Sequence, residues 1–553
     1  MTTAVQASEA QTVDVITDAD GVLSAAAAVY HRDATVLAGL ERLRSRLHEP
    51  LRLAIAGMVK AGKSTLLNAM LGEEIAPTDT GECTKVVTWY RYSATPNITM
   101  HPRVGPPHRM PIRREGGRLV LSLGGLSAGE VEWIDVGWPL EGLKRVILID
   151  TPGIGSLSEE TSARTHRFLT PQESPSAADA VVYLMRHLHG ADVHFLEAFR
   201  DTAAGAAQTV CAVGVLSRSD EIGAGRIDSL LSAGRVAQRY ERDGDLASLV
   251  LRVVPVAGLL AEGARTLRES EYIALRELAG LGRADREKLI VSADRFAGPS
   301  TATTLSTTVR EDLLARFGIF GVRLATALIR GGAHTSSELS DQMVQQSGLL
   351  ELQDFIAAQF HTRAATLKTR GVLLELEQLL RAHPRDGLDD VHAGIERITM
   401  RAHTLRELAL LALARSDGLP LSDADADEAQ RIAGVDGTAP HMRLGLPADA
   451  DAAALRASVT EKTDHWRSLS LSPLTDRATV HVCRTILRSL EEIASEVGAG
   501  RSLWTPTDVM LAGGPGDGTG QDAGEQGEKN KRRLGGQKRW KWLTLLTERN
   551  PLR

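Results

Sequence analysis

Residues 57–64 read Gly-Met-Val-Lys-Ala-Gly-Lys-Ser, between the largely apolar run 51–56 and the helix-compatible stretch 65–71. A buried strand, a glycine-bracketed turn and a helix, in that order, leave the chain few folds. The unit belongs in an α/β sheet with a helix returning over it. The chemistry of the turn is equally narrow. Gly57 and Gly62 let the backbone N–H groups of Lys60, Ala61, Gly62, Lys63, Ser64 and Thr65 face a phosphate chain, and Lys63 reaches the β- and γ-phosphates. Ser64 offers a hydroxyl to Mg²⁺, and the helix opening there points its positive end at the same anions.

The rest of the chain divides by pattern. Residues 1–12 read as a disordered tail, and 13–50 as an N-terminal helical segment with Leu37, Leu40, Leu43 and Leu47 on one stripe and Pro50 closing it. Within 51–262, β-branched runs at 86–90, 146–149, 180–184, 213–216 and 253–256 alternate with helices, which predicts a largely parallel sheet covered on both faces. Beyond 262 the strand signal stops, and helices are expected near 263–292, 306–331, 336–383, 388–415, 451–468 and 475–497. The stretch 349–380 would run roughly 48 Å if unbroken, and its apolar face needs a bundle or stalk to cover it. Residues 416–450 are rich in Asp, Gly and Pro and read as a loop or bundle tip. The fold class expected is therefore an α/β P-loop domain followed by an all-α helical bundle or stalk over 263–500.

Three further elements narrow the nucleotide. Asp150-Thr151-Pro152-Gly153 closes the strand at 146–149, where the carboxylate can help hold Mg²⁺ and the Gly153 amide can sense a γ-phosphate. In Pro77-Thr78-Asp79-Thr80-Gly81-Glu82-Cys83-Thr84, Thr84 can bind Mg²⁺ through its hydroxyl and the γ-phosphate through its amide; the plainer reading is a loop threonine before the next strand. Ser217-Arg218-Ser219-Asp220 ends the strand at 213–216. There Asp220 can accept from guanine N1 and N2, and the Arg218 plane can cover the base. A solvated turn aspartate is the alternative. Ala257 and Gly258, after the last strand, suit a backbone contact to guanine O6. GTP is the substrate these residues select.

Composition sets outer limits. The net charge of −6 over 553 residues argues against nucleic acid as the main partner, and three scattered cysteines suit a reducing cytoplasm. The polar first residues lack a signal-peptide pattern, and no run is long and apolar enough to span a bilayer, so any membrane attachment is expected to be peripheral. A Gly- and acid-rich linker, 501–528, leads to a tail, 529–553, with nine Lys or Arg against one Glu, together with Trp540 and Trp542. That tail suits an anionic membrane surface. The same composition also suits nucleic acid, an acidic protein partner or a solubilising end, and a trunk tip near 383–387 or within 416–450 is a rival contact.

On these residues the chain resembles the dynamin superfamily of large GTPases. The register from Pro77 to Thr84 and the Asp150–Gly153 phrase carry the likeness, with the helical part. The phrases Phe317-Gly318-Ile319-Phe320-Gly321-Val322, Ser347-Gly348-Leu349 and Arg363-Ala364-Ala365-Thr366-Leu367-Lys368 resemble the actinobacterial, isoniazid-inducible branch. The resemblance implies Mg²⁺-dependent hydrolysis of GTP to GDP and phosphate. It also implies homodimerisation through the nucleotide faces, assembly with a paralogous dynamin-like protein, and a helical neck and trunk acting on the inner face of the cell membrane. Helices 18–47, 263–292 and 475–497 would build the neck. The competing assignments are an assembly-factor or signalling GTPase acting on RNA or the ribosome, and a nucleotide-gated scaffold at the division septum.

Two positions depart from the family. Val59 stands where many dynamins have a water-orienting glutamine, and Lys60 where a serine holds a monovalent cation. Lys60 is thus expected to act as an internal cationic finger between the β- and γ-phosphates, the plain alternative being a lysine that projects into solvent.

Overall fold

The computed structural model describes residues 5–77, 82–115, 118–154, 177–204, 211–222, 225–242, 246, 249–416 and 418–498. Eleven strands occur among them. They are β1 (Leu51–Gly57), β2 (Val87–Tyr92), β3 (Asn97–Pro102), β4 (His108–Arg109), β5 (Arg113–Glu115), β6 (Arg118–Val120), β7 (Val131–Trp138), β8 (Val146–Asp150), β9 (Ala180–Met185), β10 (Ala212–Ser217) and β11 (Val253–Val256). All but the β5–β6 hairpin form one sheet of order β11-β10-β9-β1-β8-β2-β7-β3-β4. The β11-to-β8 half is wholly parallel. Its strands are almost continuously buried, which is why they read as unbroken apolar runs. The other half is mixed. β2 runs antiparallel to β8 and β3 antiparallel to β7, while β2 and β7 are parallel.

The helices depart from the sequence reading in four ways. Where one neck helix is expected, the chain forms Val5–Val29 and Ala34–His48, because Asp33 caps the second by accepting from the amides of Thr35 and Val36. The first helix also starts inside the span 1–12 expected to be disordered.

The long run 349–380 is likewise divided. It becomes Leu349–Ile356, a π turn Ala357–His361, and Ala364–Ala382. At this break the Gln359 amide donates to the Gly434 carbonyl at 2.8 Å and Arg363 to the Ala433 carbonyl at 3.0 Å.

The three segments assigned to a common neck pack in different places. Val5–Val29 and Ala34–His48 join Ala364–Ala382 and Asp389–Arg401 in a four-helix bundle with its own core, including Leu23, Leu40, Leu43, Leu376 and Ile395. Glu269–Gly280 packs on the helix Thr307–Arg330. Arg477–Gly498 packs with Ala452–Leu471 and His403–Ser416.

Finally, helices from Gly258–Arg265 through Leu349–Ile356 share the core of the sheet, so that core extends well past residue 262. The stretch 416–450 holds two short helices, Asp423–Ile432 and Pro440–Leu444. The segments 78–81 and 501–553, with the linker and the basic tail, lie outside the described residues.

The four-helix bundle meets the amino-terminal end of the sheet through polar contacts. Lys368 donates to the Glu49 carbonyl at 2.8 Å, and Arg46 pairs with Asp179 at 3.4 Å and also with Glu375. The opposite, carboxyl end of the strands carries the residues singled out above.

Candidate functional site

Four parallel strands deliver the site. β1, β8, β10 and β11 end at Gly57, Asp150, Ser217 and Val256, and the loops that leave these ends supply the turn at 57–64, the Asp150 phrase, and the segments Ser217–Asp220 and Ala257–Gly258. Ligands of open α/β sheets gather at such carboxyl ends. Gly62 caps the helix Lys63–Leu71. The Lys63 ammonium lies against its own loop, donating to the carbonyls of Gly57 at 3.0 Å and Met58 at 3.1 Å. Burial lowers the Lys63 pKa to about 8, and the Asp150 charge opposes that shift.

Ser64 donates to Asp150 Oδ2 at 3.1 Å. Burial raises the Asp150 carboxyl to about 6, against the pull of Lys63, Ser64 and the Thr151 amide. The second oxygen, Asp150 Oδ1, is buried without a hydrogen-bond partner among the described residues. A hydroxyl beside a carboxylate with one free buried oxygen fits a divalent cation. Thr84 lies in the 3₁₀ turn Glu82–Lys85 that leads into β2. Because β2 is antiparallel to β8 with Thr88 opposite Asp150, that turn enters from the same edge as Asp150.

The Asp150 phrase is stitched to the phosphate turn. The Ile154 amide donates to the Gly57 carbonyl at 3.2 Å, and the Val59 amide to the Ile154 carbonyl at 3.2 Å. Gly153 sits so close that a Cβ there would lie 2.6 Å from Val59 Cγ2 and 2.8 Å from Val59 Cα. Only glycine tolerates that approach. Lys60 is exposed and adopts a left-handed backbone, φ 62.

In the segment Ser217–Asp220, Arg218 also has positive φ, 51. Its guanidinium reaches Glu221 at 2.8 Å and the Lys60 carbonyl at 3.4 Å, joining that segment to the turn at 57–64. Burial raises the Asp220 carboxyl. The Ser217 hydroxyl turns inward and donates to the Met185 carbonyl at 3.1 Å, so it braces neighbouring strands.

The dynamin-family profile matches residues 53–109. The isoniazid-induced protein IniC of Mycobacterium tuberculosis is 40% identical over 475 residues, which are 86% of this chain and 96% of that protein. The chain belongs to the isoniazid-induced branch of the dynamin family. The isoniazid-induced protein IniA of the same organism is 34% identical over 137 residues, 22% of this chain and 20% of its own length. A solved structure described as an oligomerised bacterial dynamin pair aligns over 89% of this chain and 79% of its own, at 14% identity and a TM-score of 0.29.

For this dynamin-family chain, the structure adds residues that the motif reading missed. The Ala257 amide donates to the Ser347 carbonyl at 2.9 Å. A Cβ on Gly348 would clash with the Pro255 carbonyl oxygen, so the phrase 347–349 is pressed onto the end of β11. Asn68 bridges Ala76 and Glu262, its amide donating to Glu262 at 2.8 Å and its carbonyl accepting from the Ala76 amide at 2.7 Å. Only the glycine of Ser347-Gly348-Leu349 marks this docking in the sequence.

Proposed function

We propose that the chain binds GTP at the carboxyl ends of β1, β8, β10 and β11 and hydrolyses it to GDP and phosphate. The observation that carries this reading is the convergence of Lys63, the Ser64–Asp150 pair and Asp220 on one edge of a parallel sheet. Lys63 exchanges its carbonyl partners for the β- and γ-phosphates, assisted by the amides of 60–65. Ser64, Asp150 and Thr84 are the residues that would hold Mg²⁺, which when bound withdraws charge from the phosphate oxygens. Lys60 neutralises charge that develops between the β- and γ-phosphates, and the Gly153 amide reads the γ-phosphate. Asp220 reads the guanine edge, Arg218 covers its face, and the loop at Ser217, Ala257 and Gly258 shapes the pocket.

Family membership supports a mechanochemical use of this turnover. In this reading, the nucleotide faces of two copies pair, with or without a paralogous partner, and the helical part couples hydrolysis to fission, fusion or stabilisation of the cytoplasmic membrane, on its inner face. No helix among the described residues is long and apolar enough to cross a membrane. Contact through the surface is therefore favoured, by the basic tail or by the turn joining Ala452–Leu471 to Arg477–Gly498, where Leu471 and Leu474 are 75% and 96% exposed. GTP turnover measured against protein concentration, with and without anionic liposomes, tests the proposal. Specific activity that rises with concentration and again with lipid supports it; a flat response in every condition refutes it.

A further inference from the structure

The phrase Phe317-Gly318-Ile319-Phe320-Gly321-Val322 sets two glycines within an otherwise apolar run. It lies within the helix Thr307–Arg330, which is interrupted at Gly318 with φ 62 and ψ 172. That conformation is open essentially to glycine alone. The interruption falls beside the base-reading aspartate: a Cβ built on Gly318 would stand 3.9 Å from Asp220 Oδ2 and 3.6 Å from Leu259 Cδ2.

The two arms of the broken helix are anchored on different parts of the nucleotide site. On the first arm, Arg316 pairs with Glu74, donates to Glu271 at 2.8 Å and donates to the Thr266 carbonyl at 2.8 Å. Glu74 lies three residues before Pro77, where the segment ending at Thr84 begins. On the second arm, Arg323 donates to the Gly225 carbonyl at 2.6 Å and to the carbonyls of Ile290 at 2.9 Å and Val291 at 2.6 Å. Ile319 Cγ2 approaches the same Gly225, 3.4 Å from the place of a Cβ. Gly225 is therefore held by the second arm, while the break itself stands beside Asp220, and the bend at Gly318 sets where that arm lies.

We propose that Gly318 is a positioning residue of the guanine site. Its break places the second arm so that Asp220 faces the base edge, and the first arm links that placement to the stem of the Thr84 segment. The inference rests on the guanine reading of Asp220. A side chain at 318 is driven out of the glycine-only region, rotating the second arm and shifting the backbone that stands beside Asp220. The phosphate contacts of Lys63 and Ser64 are made by their own loop and by Asp150, and they stay in place.

Competition binding of GDP and IDP to the full chain tests this. IDP lacks the 2-amino group that Asp220 would bind and keeps the diphosphate. Gly318→Ala is expected to weaken GDP about a hundredfold, through both of its N–H bonds to Asp220, and IDP, which keeps N1–H, about tenfold, each hydrogen bond to a charged group carrying roughly a factor of ten. The GDP-to-IDP preference then collapses, which a general loss of structure would not produce. Gly332→Ala, at φ 113 beyond the end of the same helix, is expected to keep the wild-type preference. Should Gly318→Ala not fold, Arg323→Gln, which frees the Gly225 carbonyl, carries the same expectation. The proposal is overturned if GDP and IDP weaken by the same factor, leaving the preference unchanged, or if Gly332→Ala lowers it equally. A wild-type chain that binds both nucleotides alike would overturn the guanine reading itself, and this inference with it.

Discussion

Lys60 offers the sharpest separation of stability from catalysis. Its side chain is exposed and its backbone is held at φ 62, a region that costs an L-residue roughly 1–2 kcal/mol. Lys60→Gly removes that cost but adds backbone entropy to the unfolded chain, worth about 0.5–1 kcal/mol. The nucleotide-free protein should gain about 0.5–1 kcal/mol, which for a chain of 553 residues raises Tm by only about 0.5–1 °C. Lys60→Ser retains the strain and should leave Tm within about 1 °C of wild type. Both variants lose the cation. Turnover in potassium-free buffer should fall by about 10²–10³-fold, the weight of one preorganised group facing transition-state charge. Adding K⁺ should restore Lys60→Ser, whose hydroxyl can ligate the ion, and should do little for Lys60→Gly. Paired thermal melts and steady-state GTPase assays read all of this. Turnover within twofold of wild type for both variants, in every salt, would show that Lys60 only projects into solvent.

Two other perturbations test neighbouring parts of the structure. Gly153→Ala places a methyl 2.6 Å from Val59 Cγ2 and forces the Asp150 phrase off the phosphate turn; at an overpacking cost of about 1–3 kcal/mol, turnover should drop at least tenfold while GDP affinity, read by fluorescence titration, stays within a few-fold. His361 has its pKa lowered from 6.5 to about 4 by burial, with Arg145 adding to the shift. A group lowered on folding stabilises fully above its unfolded pKa, so stability should fall as pH drops from about 6.5 to 4. The loss is about 3 kcal/mol at most, since the residue is only partly buried. In melts across that range, His361→Gln should flatten the decline; an unchanged acid profile would refute the assignment.

The phosphate turn was legible because its chemistry is local: glycines, a lysine and a serine at fixed spacing act within one strand–turn–helix. The five strands read from the sequence include β1's parallel neighbours, whose burial on both sides writes itself as continuous apolar runs. β3 and β7 escaped because His101, Glu132 and Asp135 interrupt the apolar pattern of partly exposed strands. Helix extents were overread where a local device stops the chain, such as the Asp33 cap or the π turn at Ala357–His361. The Gly318 break was illegible for a different reason. Its meaning depends on Asp220, nearly a hundred positions earlier in the chain, and on two arginine anchors that no short-range pattern connects.

The four-helix bundle also sets an order of events during synthesis. Its first two helices end at His48, and the two that cover their apolar faces begin at Ala364 and finish at Arg401. At roughly 5–20 residues per second, the ribosome needs about 16–70 s to deliver the missing half. Throughout that interval Leu23, Leu40, Leu43 and Leu47 have none of their eventual partners from the second helix pair. The nascent amino-terminal hairpin is therefore a natural client for chaperones, and the sheet, whose strands all emerge by Val256, can be assembled before the bundle closes beside it.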